Sequence, residues 1–161
     1  MSPIHTKELK PGVALITGGA KRIGKEIVKN LAYDGWKVII HYNKNSIAAK
    51  NLKNQITKRK GKAAIIKCDL NNNNSVKNLI EKSKKKFGNI SLLINNASKF
   101  ENDDIKNLNL ESWESHNNIN LKAPLILSRD FNNQLRKNTP GLIINIIDQR
   151  IFFPNPDFIS C

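Results

Sequence analysis

The sequence predicts an α/β domain in which one doubly wound parallel sheet carries helices on both faces. Short, continuously apolar runs recur along the chain at Val13 to Ile16, Trp36 to Tyr42, Ala63 to Lys67, Ser91 to Asn95 and Leu142 to Ile147. Strands buried on both faces read as such runs, whereas half-exposed strands alternate. Amphipathic stretches of helical period separate them, and strands joined through helices pair in parallel. The third observation is Thr17-Gly18-Gly19-Ala20-Lys21-Arg22-Ile23-Gly24, which joins the first run to the first helix. Strand, glycine turn and helix start are what a phosphate site requires. Gly18 can take backbone angles closed to other residues, Gly24 permits a close approach, and the first free N–H groups of the helix point at an anion. The expected guest is a dinucleotide pyrophosphate.

Taken in order, the first helix is expected over 22–33, ending near Asp34-Gly35, and the second strand follows at Trp36 to Tyr42. Asn43-Lys44-Asn45-Ser46 leaves that strand. A second helix runs from Ser46 to Arg59, Gly61 closes it, and the third strand ends at Cys68-Asp69-Leu70. Beyond the polar turn of Asn71 to Asn74, Ser75 is placed as the cap of a single third helix with Val76, Leu79, Ile80 and Phe87 on its buried face and Gly88 at its end. Ser91 to Asn95 is the fourth strand. A loop through Asn96-Ala97-Ser98-Lys99-Phe100 leads to a long helical region between Glu111 and Lys137, where Pro124 predicts a kink. Leu142 to Ile147 is the fifth strand. The expected strand order is 3-2-1-4-5, with Gly18 to Gly24 and Asn95 to Ser98 facing one cleft at the carboxyl ends of the strands.

With 161 residues the chain is one domain long. No apolar run reaches membrane-spanning length, and Met1-Ser2-Pro3-Ile4-His5-Thr6-Lys7 lacks the apolar core of a signal peptide, so the expected compartment is the cytoplasm. Cys68 and Cys161 are too few for a disulfide framework and lack zinc-site spacing; both are expected as free thiols, with no metal. The formal charge of +14 raises nucleic acid as a partner. However, the lysines are spread along every predicted helix, and no aromatic residues interleave with them as a strand-binding groove requires. Solvated helix faces are the reading preferred here.

Three separated segments, Thr17 to Gly24, Asn95-Asn96-Ala97-Ser98 and Asn145-Ile146-Ile147-Asp148, together resemble the short-chain dehydrogenase/reductase family. Ala20-Lys21-Arg22, His41-Tyr42 and Phe100 are similar to its pteridine reductase and dihydromonapterin reductase branch. The resemblance implies a Rossmann-like fold, an NADP(H) cofactor, a pterin-like small-molecule substrate, and a homo-oligomer in complete relatives. The segment His41 to Ser46 carries donors and no carboxylate, which disfavours the ribose hydroxyls of NAD and favours the extra phosphate of NADP, met by Lys44 and Ser46. The cofactor set implied is Gly18, Lys21, Arg22, Ile23, Gly24, His41, Tyr42, Asn43, Lys44, Ser46, Asp69, Leu70, Asn96, Ala97 and Ser98, with Asp69 accepting from the adenine amino group. Asn95 is expected to tie the fourth strand to its neighbour.

Arg22 and Phe100 resemble the branch's substrate contacts, a cation and an aromatic face for a flat heterocycle. Asn120 matches the family's relay asparagine in the central helix. Asp148 stands where most of the family has a catalytic serine, a substitution similar to that of the pteridine reductase branch. The family's tyrosine would fall at position 161, which is Cys161, and its lysine has no counterpart. The chain is therefore expected to be the amino-terminal two-thirds of a reductase, a single NADP-binding domain inactive as written. Competing expectations are a 3-oxoacyl thioester or other carbonyl reductase and a catalytically dead nucleotide-binding protein.

Overall fold

Five strands, β1 (Val13–Ile16), β2 (Lys37–Tyr42), β3 (Ala63–Lys67), β4 (Leu92–Asn95) and β5 (Leu142–Asn145), form one sheet in the order β3-β2-β1-β4-β5. This is the predicted order, and every pairing is parallel. The computed structural model describes residues 9–148, 152 and 156–158; Cys161 lies outside them. The register sets Ile16 beside Ile40 on one side and Ile94 on the other, so the residues that follow, Thr17, His41 and Asn95, emerge together at one edge. The chain winds outward from β1 to β3 and then returns to β4, and that reversal opens a crevice between β1 and β4.

Alternate residues of the buried strands supply two cores. Ala14, Ile16, Val38 and Ile40 pack beneath α1 (Arg22–Tyr33) and α2 (Ser46–Lys58) through Val28, Ala32, Ala49, Leu52 and Ile56. On the opposite face Leu15, Ile39 and Leu93 meet Val76 of α3 (Asn73–Lys77), Leu79 and Ile80 of α4 (Leu79–Phe87), and Leu127 and Phe131 of α6 (Ala123–Gln134). Each fully buried branched or aromatic side chain contributes roughly 1.5–3 kcal/mol of transfer free energy. The basic residues are divided likewise. Lys50 and Lys58 lie on α2, and Lys82, Lys85 and Lys86 on α4, so exposed charge covers both faces of the sheet. Among the described residues no helix is long and apolar enough to cross a membrane.

Three predicted elements are corrected. The third helix is two, and its cap is Asn72, whose Oδ1 accepts from the Ser75 N–H at 3.0 Å. Asparagines compete with helix continuity by bonding to nearby backbone: Asn78, between α3 and α4, donates from Nδ2 to the Asn74 carbonyl at 2.8 Å. The irregularity of the long helical region lies just before Pro124. The region consists of α5 (Leu110–Asn117), a π turn over Asn118–Lys122, and α6, with Pro124 in the first turn of α6. Proline lacks the N–H that an unbroken helix needs, and the π turn that runs directly into α6 precedes it. α6 stops at Gln134, whose side-chain amide brackets the Ile90 main chain, accepting from its N–H at 3.0 Å and donating to its carbonyl at 2.7 Å. β5 ends at Asn145, two residues early, although the Ile146 N–H still donates to the Asn95 carbonyl at 2.9 Å.

Candidate functional site

At the carboxyl edge the glycine turn and the segment after β4 are joined by one hydroxyl. Thr17 is 2% exposed, and its Oγ1 accepts from the N–H groups of Asn96 at 2.9 Å and Ala97 at 3.0 Å. Asn96 answers by donating from Nδ2 to the Thr17 carbonyl at 2.9 Å. Two predicted motifs about eighty residues apart are thereby fixed to each other. The glycines sit inside this junction. Gly18 has φ +63°, and a Cβ there would stand 3.0 Å from the Ala97 Cα; one on Gly24 would stand 2.5 Å from the Gly18 carbonyl oxygen. No side chain other than hydrogen fits at Gly24, and the open N-terminal turn of α1 is brought against the crevice.

The N-terminus of α1 has no side-chain cap: Lys21 takes the N-cap position in extended conformation, its carbonyl accepting from the Lys25 N–H at 3.1 Å while its side chain makes no capping bond. Arg22 opens the helix at φ +48°, a left-handed conformation that costs an L-residue about 1–2 kcal/mol. Strain of this kind persists where the residue type is needed for something other than stability. Arg22→Gly is expected to raise the unfolding free energy by up to about 1 kcal/mol in urea denaturation. A loss of stability would mean that the guanidinium holds the fold. Ile23 is 63% exposed at the same helix end, an apolar surface beside the crevice.

From the end of β2, His41 is buried, and both of its ring nitrogens are taken by main chain. Nδ1 accepts from the Gly18 N–H at 3.0 Å, and Nε2 lies 3.0 Å from the Cys68 carbonyl oxygen. Its side chain therefore faces the turn and β3 and is not offered to a ligand. Tyr42 is half-buried at the strand end. Asn45 caps α2, Oδ1 accepting from the Ala48 N–H at 2.8 Å, which leaves exposed Lys44 and half-buried Ser46 on either side of the cap. Asp69 is both a turn aspartate and a partner of this loop: its Oδ1 accepts from the Asn71 N–H at 3.0 Å and from Asn43 Nδ2 at 3.2 Å. The Leu70 side chain belongs to the core at 4% exposure, so only its main chain can meet a ligand. Burial pushes the Cys68 thiol up to about 11, which keeps it protonated and unreactive at neutral pH.

The residues expected on the substrate side are gathered less tightly. Asn95 does tie β4 to β5, donating from Nδ2 to Asn145 Oδ1 at 2.8 Å. Asp148 is exposed three residues beyond the end of β5. Phe100 stacks on Phe158 with ring centroids 4.4 Å apart and planes 15° from parallel, so one face of the ring is taken while the residue stays 47% exposed. Asn120, in the π turn, spends its side chain on the main chain of Lys99, accepting from the N–H at 2.8 Å and donating to the carbonyl at 2.9 Å. His116, unremarked in the sequence, holds the same loop: Nδ1 donates to the Ser112 carbonyl at 2.8 Å, and Nε2 accepts from the Glu101 N–H at 3.3 Å. Thr17 was visible only as part of the glycine motif; a hydroxyl between strand and glycine turn was the available signal for its bridging role.

A parallel sheet in the order β3-β2-β1-β4-β5, with a glycine turn at its switch point, defines a doubly wound, Rossmann-like α/β domain. The family model for short chain dehydrogenases matches residues 12–159, and the chain belongs to that family. It is 34% identical over 149 residues to an uncharacterized oxidoreductase of Thermotoga maritima, an alignment covering 92% of this chain and 58% of that protein. A 3-oxoacyl-[acyl-carrier-protein] reductase of Synechocystis is 31% identical over 144 residues, covering 89% and 58%. Among solved structures, FolM alternative dihydrofolate reductase 1 from Brucella canis, complexed with NADP, superposes with a TM-score of 0.87 at 39% identity, covering 93% of this chain and 60% of that one. The chain thus spans about three-fifths of the length of the relatives it matches.

Proposed function

We propose that the chain is a single NADP(H)-binding domain of a short-chain reductase whose substrate is a pterin of the dihydropteridine type. The observation that carries the cofactor reading is the seam at the carboxyl edge, where the Thr17–Asn96 bonds hold the turn so close that Gly18 and Gly24 have no room for a Cβ and the start of α1 packs against the segment after β4. A pyrophosphate suits such a turn, because unpaired N–H groups and the positive end of the helix dipole face it. The absence of any carboxylate from His41 to Ser46 supports NADP over NAD. When bound, the dinucleotide supplies a hydride. The chain's own residues hold and orient it: the glycine turn at the pyrophosphate, Lys44 and Ser46 at the additional phosphate, Tyr42 and Asn43 beside them, Asp69 and the Leu70 main chain at the adenine, and Ala97 and Ser98 along the cleft.

Arg22, Phe100 and Asp148 are the residues proposed for the pterin. Arg22 supplies a cation at the mouth of the turn, Phe100 an aromatic surface, and Asp148 a carboxylate able to accept from the pterin's amino and ring N–H groups. The 39% identity to a FolM reductase supports this substrate class. The 31% identity to a 3-oxoacyl reductase supports the second reading. Asn120 is assigned a positioning role, since its side chain fixes the loop bearing Phe100. The tyrosine and lysine that the family resemblance calls for have no counterpart among these 161 residues, so they are expected to bind cofactor without turnover by themselves. NADPH oxidation with dihydrobiopterin against a 3-oxoacyl thioester, in a protein carrying this chain with the remainder supplied from a related reductase, separates the two substrates. Faster turnover of the thioester would overturn the pterin assignment.

Lys44→Ala is expected to narrow the preference for NADP over NAD several-fold in calorimetric titration. A charge-assisted bond is worth roughly 1.5–3 kcal/mol, and the exposure of Lys44 reduces that to about 1 kcal/mol. An unchanged ratio would assign the phosphate to other donors.

A further inference from the structure

His41 is 2% exposed, and its ring bridges three chain segments. Gly18 of the turn donates to Nδ1 at 3.0 Å, and Nε2 meets the carbonyl of Cys68, just beyond β3, at 3.0 Å. Its own carbonyl accepts from the Gly19 N–H, also at 3.0 Å. A main-chain N–H can only donate and a carbonyl can only accept, so the ring must carry its single proton on Nε2. A second proton would set an N–H at Nδ1 against the N–H of Gly18. That geometry permits the turn only with a neutral ring. We propose that His41 is a positioning residue that holds the glycine turn in its anion-binding shape only while its imidazole is neutral, so that dinucleotide binding falls away in mild acid. The inference rests on the reading of this crevice as a dinucleotide site.

The surroundings favour the neutral ring. Burial pushes the imidazole below its ordinary value of 6.5, against the opposing pull of the Cys68 carbonyl and the Asp69 carboxylate. Asp69 and the Cys68 thiol, protonated throughout this range, come from the end of β3, and Tyr42 neighbours His41 on β2. The glycine turn brings Lys21 and Arg22, both exposed, whereas β1 and the segment after β4 contribute the non-titrating Thr17 and Asn96. Because the folded-state value is lowered, the unfolded chain takes up a proton below about 6.5 that the folded chain refuses. The stabilisation is complete above 6.5 and is lost as the pH falls toward the folded-state value.

His41→Gln tests this, because a glutamine amide can accept from Gly18 and donate to Cys68 but does not titrate. NADP⁺ is titrated calorimetrically into the wild type, His41→Gln and His41→Leu at about pH 7.5 and about pH 5.5, and each is unfolded in urea without ligand at both values. Titration of the NADP phosphate is common to all three and cancels in the comparison. The wild type is expected to lose about tenfold more affinity than His41→Gln on acidification, and His41→Leu to bind weakly at both values. Equal pH dependence in wild type and His41→Gln would overturn the proposal, as would neutral-pH binding by His41→Leu as tight as wild type. Failure of all three to bind at either pH would overturn the dinucleotide reading itself. The ligand-free unfolding then decides the latch separately: between the two pH values wild-type stability falls by more than that of His41→Gln, in which His116 and every other titrating group are retained, or the latch is wrong.

Discussion

Gly24→Ala is expected to destabilise the fold by about 2–3 kcal/mol and to weaken NADP binding by about a hundredfold or more. On an ordinary helix the same change would stabilise by up to about 1 kcal/mol, because alanine is the better helix former. The sign reverses because of what the new methyl would meet: the Gly18 carbonyl oxygen at 2.5 Å, Asn96 Nδ2 at 2.6 Å and the Gly19 Cα at 3.0 Å. Two of these are backbone atoms that cannot rotate away. Overpacking in a tight site costs roughly 1–3 kcal/mol, and here relief requires opening the junction between the glycine turn and the segment after β4. Loss of that junction spreads the N–H groups of α1 away from one another, so affinity falls further than stability. Urea unfolding and calorimetric titration of the same preparation give both numbers. A variant as stable as wild type, or one that binds NADP normally, would show that the turn relaxes without consequence and would remove Gly24 from the site.

Most of the sheet was legible because both its signals are local. Apolar runs mark β1 to β5, and the polar turns between them mark the crossovers; the order 3-2-1-4-5 then follows from the few topologies that right-handed crossovers allow. What the sequence did not reveal depends on competition between nearby polar groups. Ser75 looked like a cap, yet Asn72 took that place, because several asparagines in succession offer the backbone equivalent side-chain oxygens and only packing of Val76 and Leu79 selects among them. Pro124 signalled an irregularity in this region but neither its exact place nor its form, a π turn over Asn118–Lys122 in which Asn120 bonds the Lys99 main chain.

The site divides along the same line. Gly18 and Gly24 announce themselves by residue type, since their backbone angles or clearances exclude side chains. His41 was readable as a polar residue near a phosphate, whereas its role in the fold lies in contacts to Gly18 and Cys68 that are 23 and 27 residues distant in sequence. Phe100 was readable as an aromatic at the mouth of the cleft, but its stacking on Phe158 follows from where a later segment returns. Residue type predicts chemistry; which atoms that chemistry is spent on is a property of the assembled fold.

Thr17→Val is expected to cost about 2–4 kcal/mol of stability, and Thr17→Ser about 1 kcal/mol. Valine matches threonine in shape, so the packing of this 2%-exposed residue is retained and the difference isolates the hydroxyl. That hydroxyl is the acceptor for the N–H groups of Asn96 at 2.9 Å and Ala97 at 3.0 Å, while its own donation to the Ile94 carbonyl at 3.4 Å is long and weak. Removing one partner of a buried pair costs about 1–3 kcal/mol per stranded donor, and two donors are stranded here in partly buried surroundings. Serine keeps the oxygen and forfeits a methyl group, worth about 0.8 kcal/mol. Because the same two bonds hold the cleft's second wall to its first, Thr17→Val is also expected to weaken NADP binding at least tenfold, with Thr17→Ser within about threefold of wild type. Urea midpoints with an unchanged m-value measure the stability difference, and titration measures the binding. Valine and serine variants of equal stability and affinity would show that the hydroxyl is not what joins β1 to the segment after β4, and the seam on which the dinucleotide reading rests would have to be assigned to Asn96 alone.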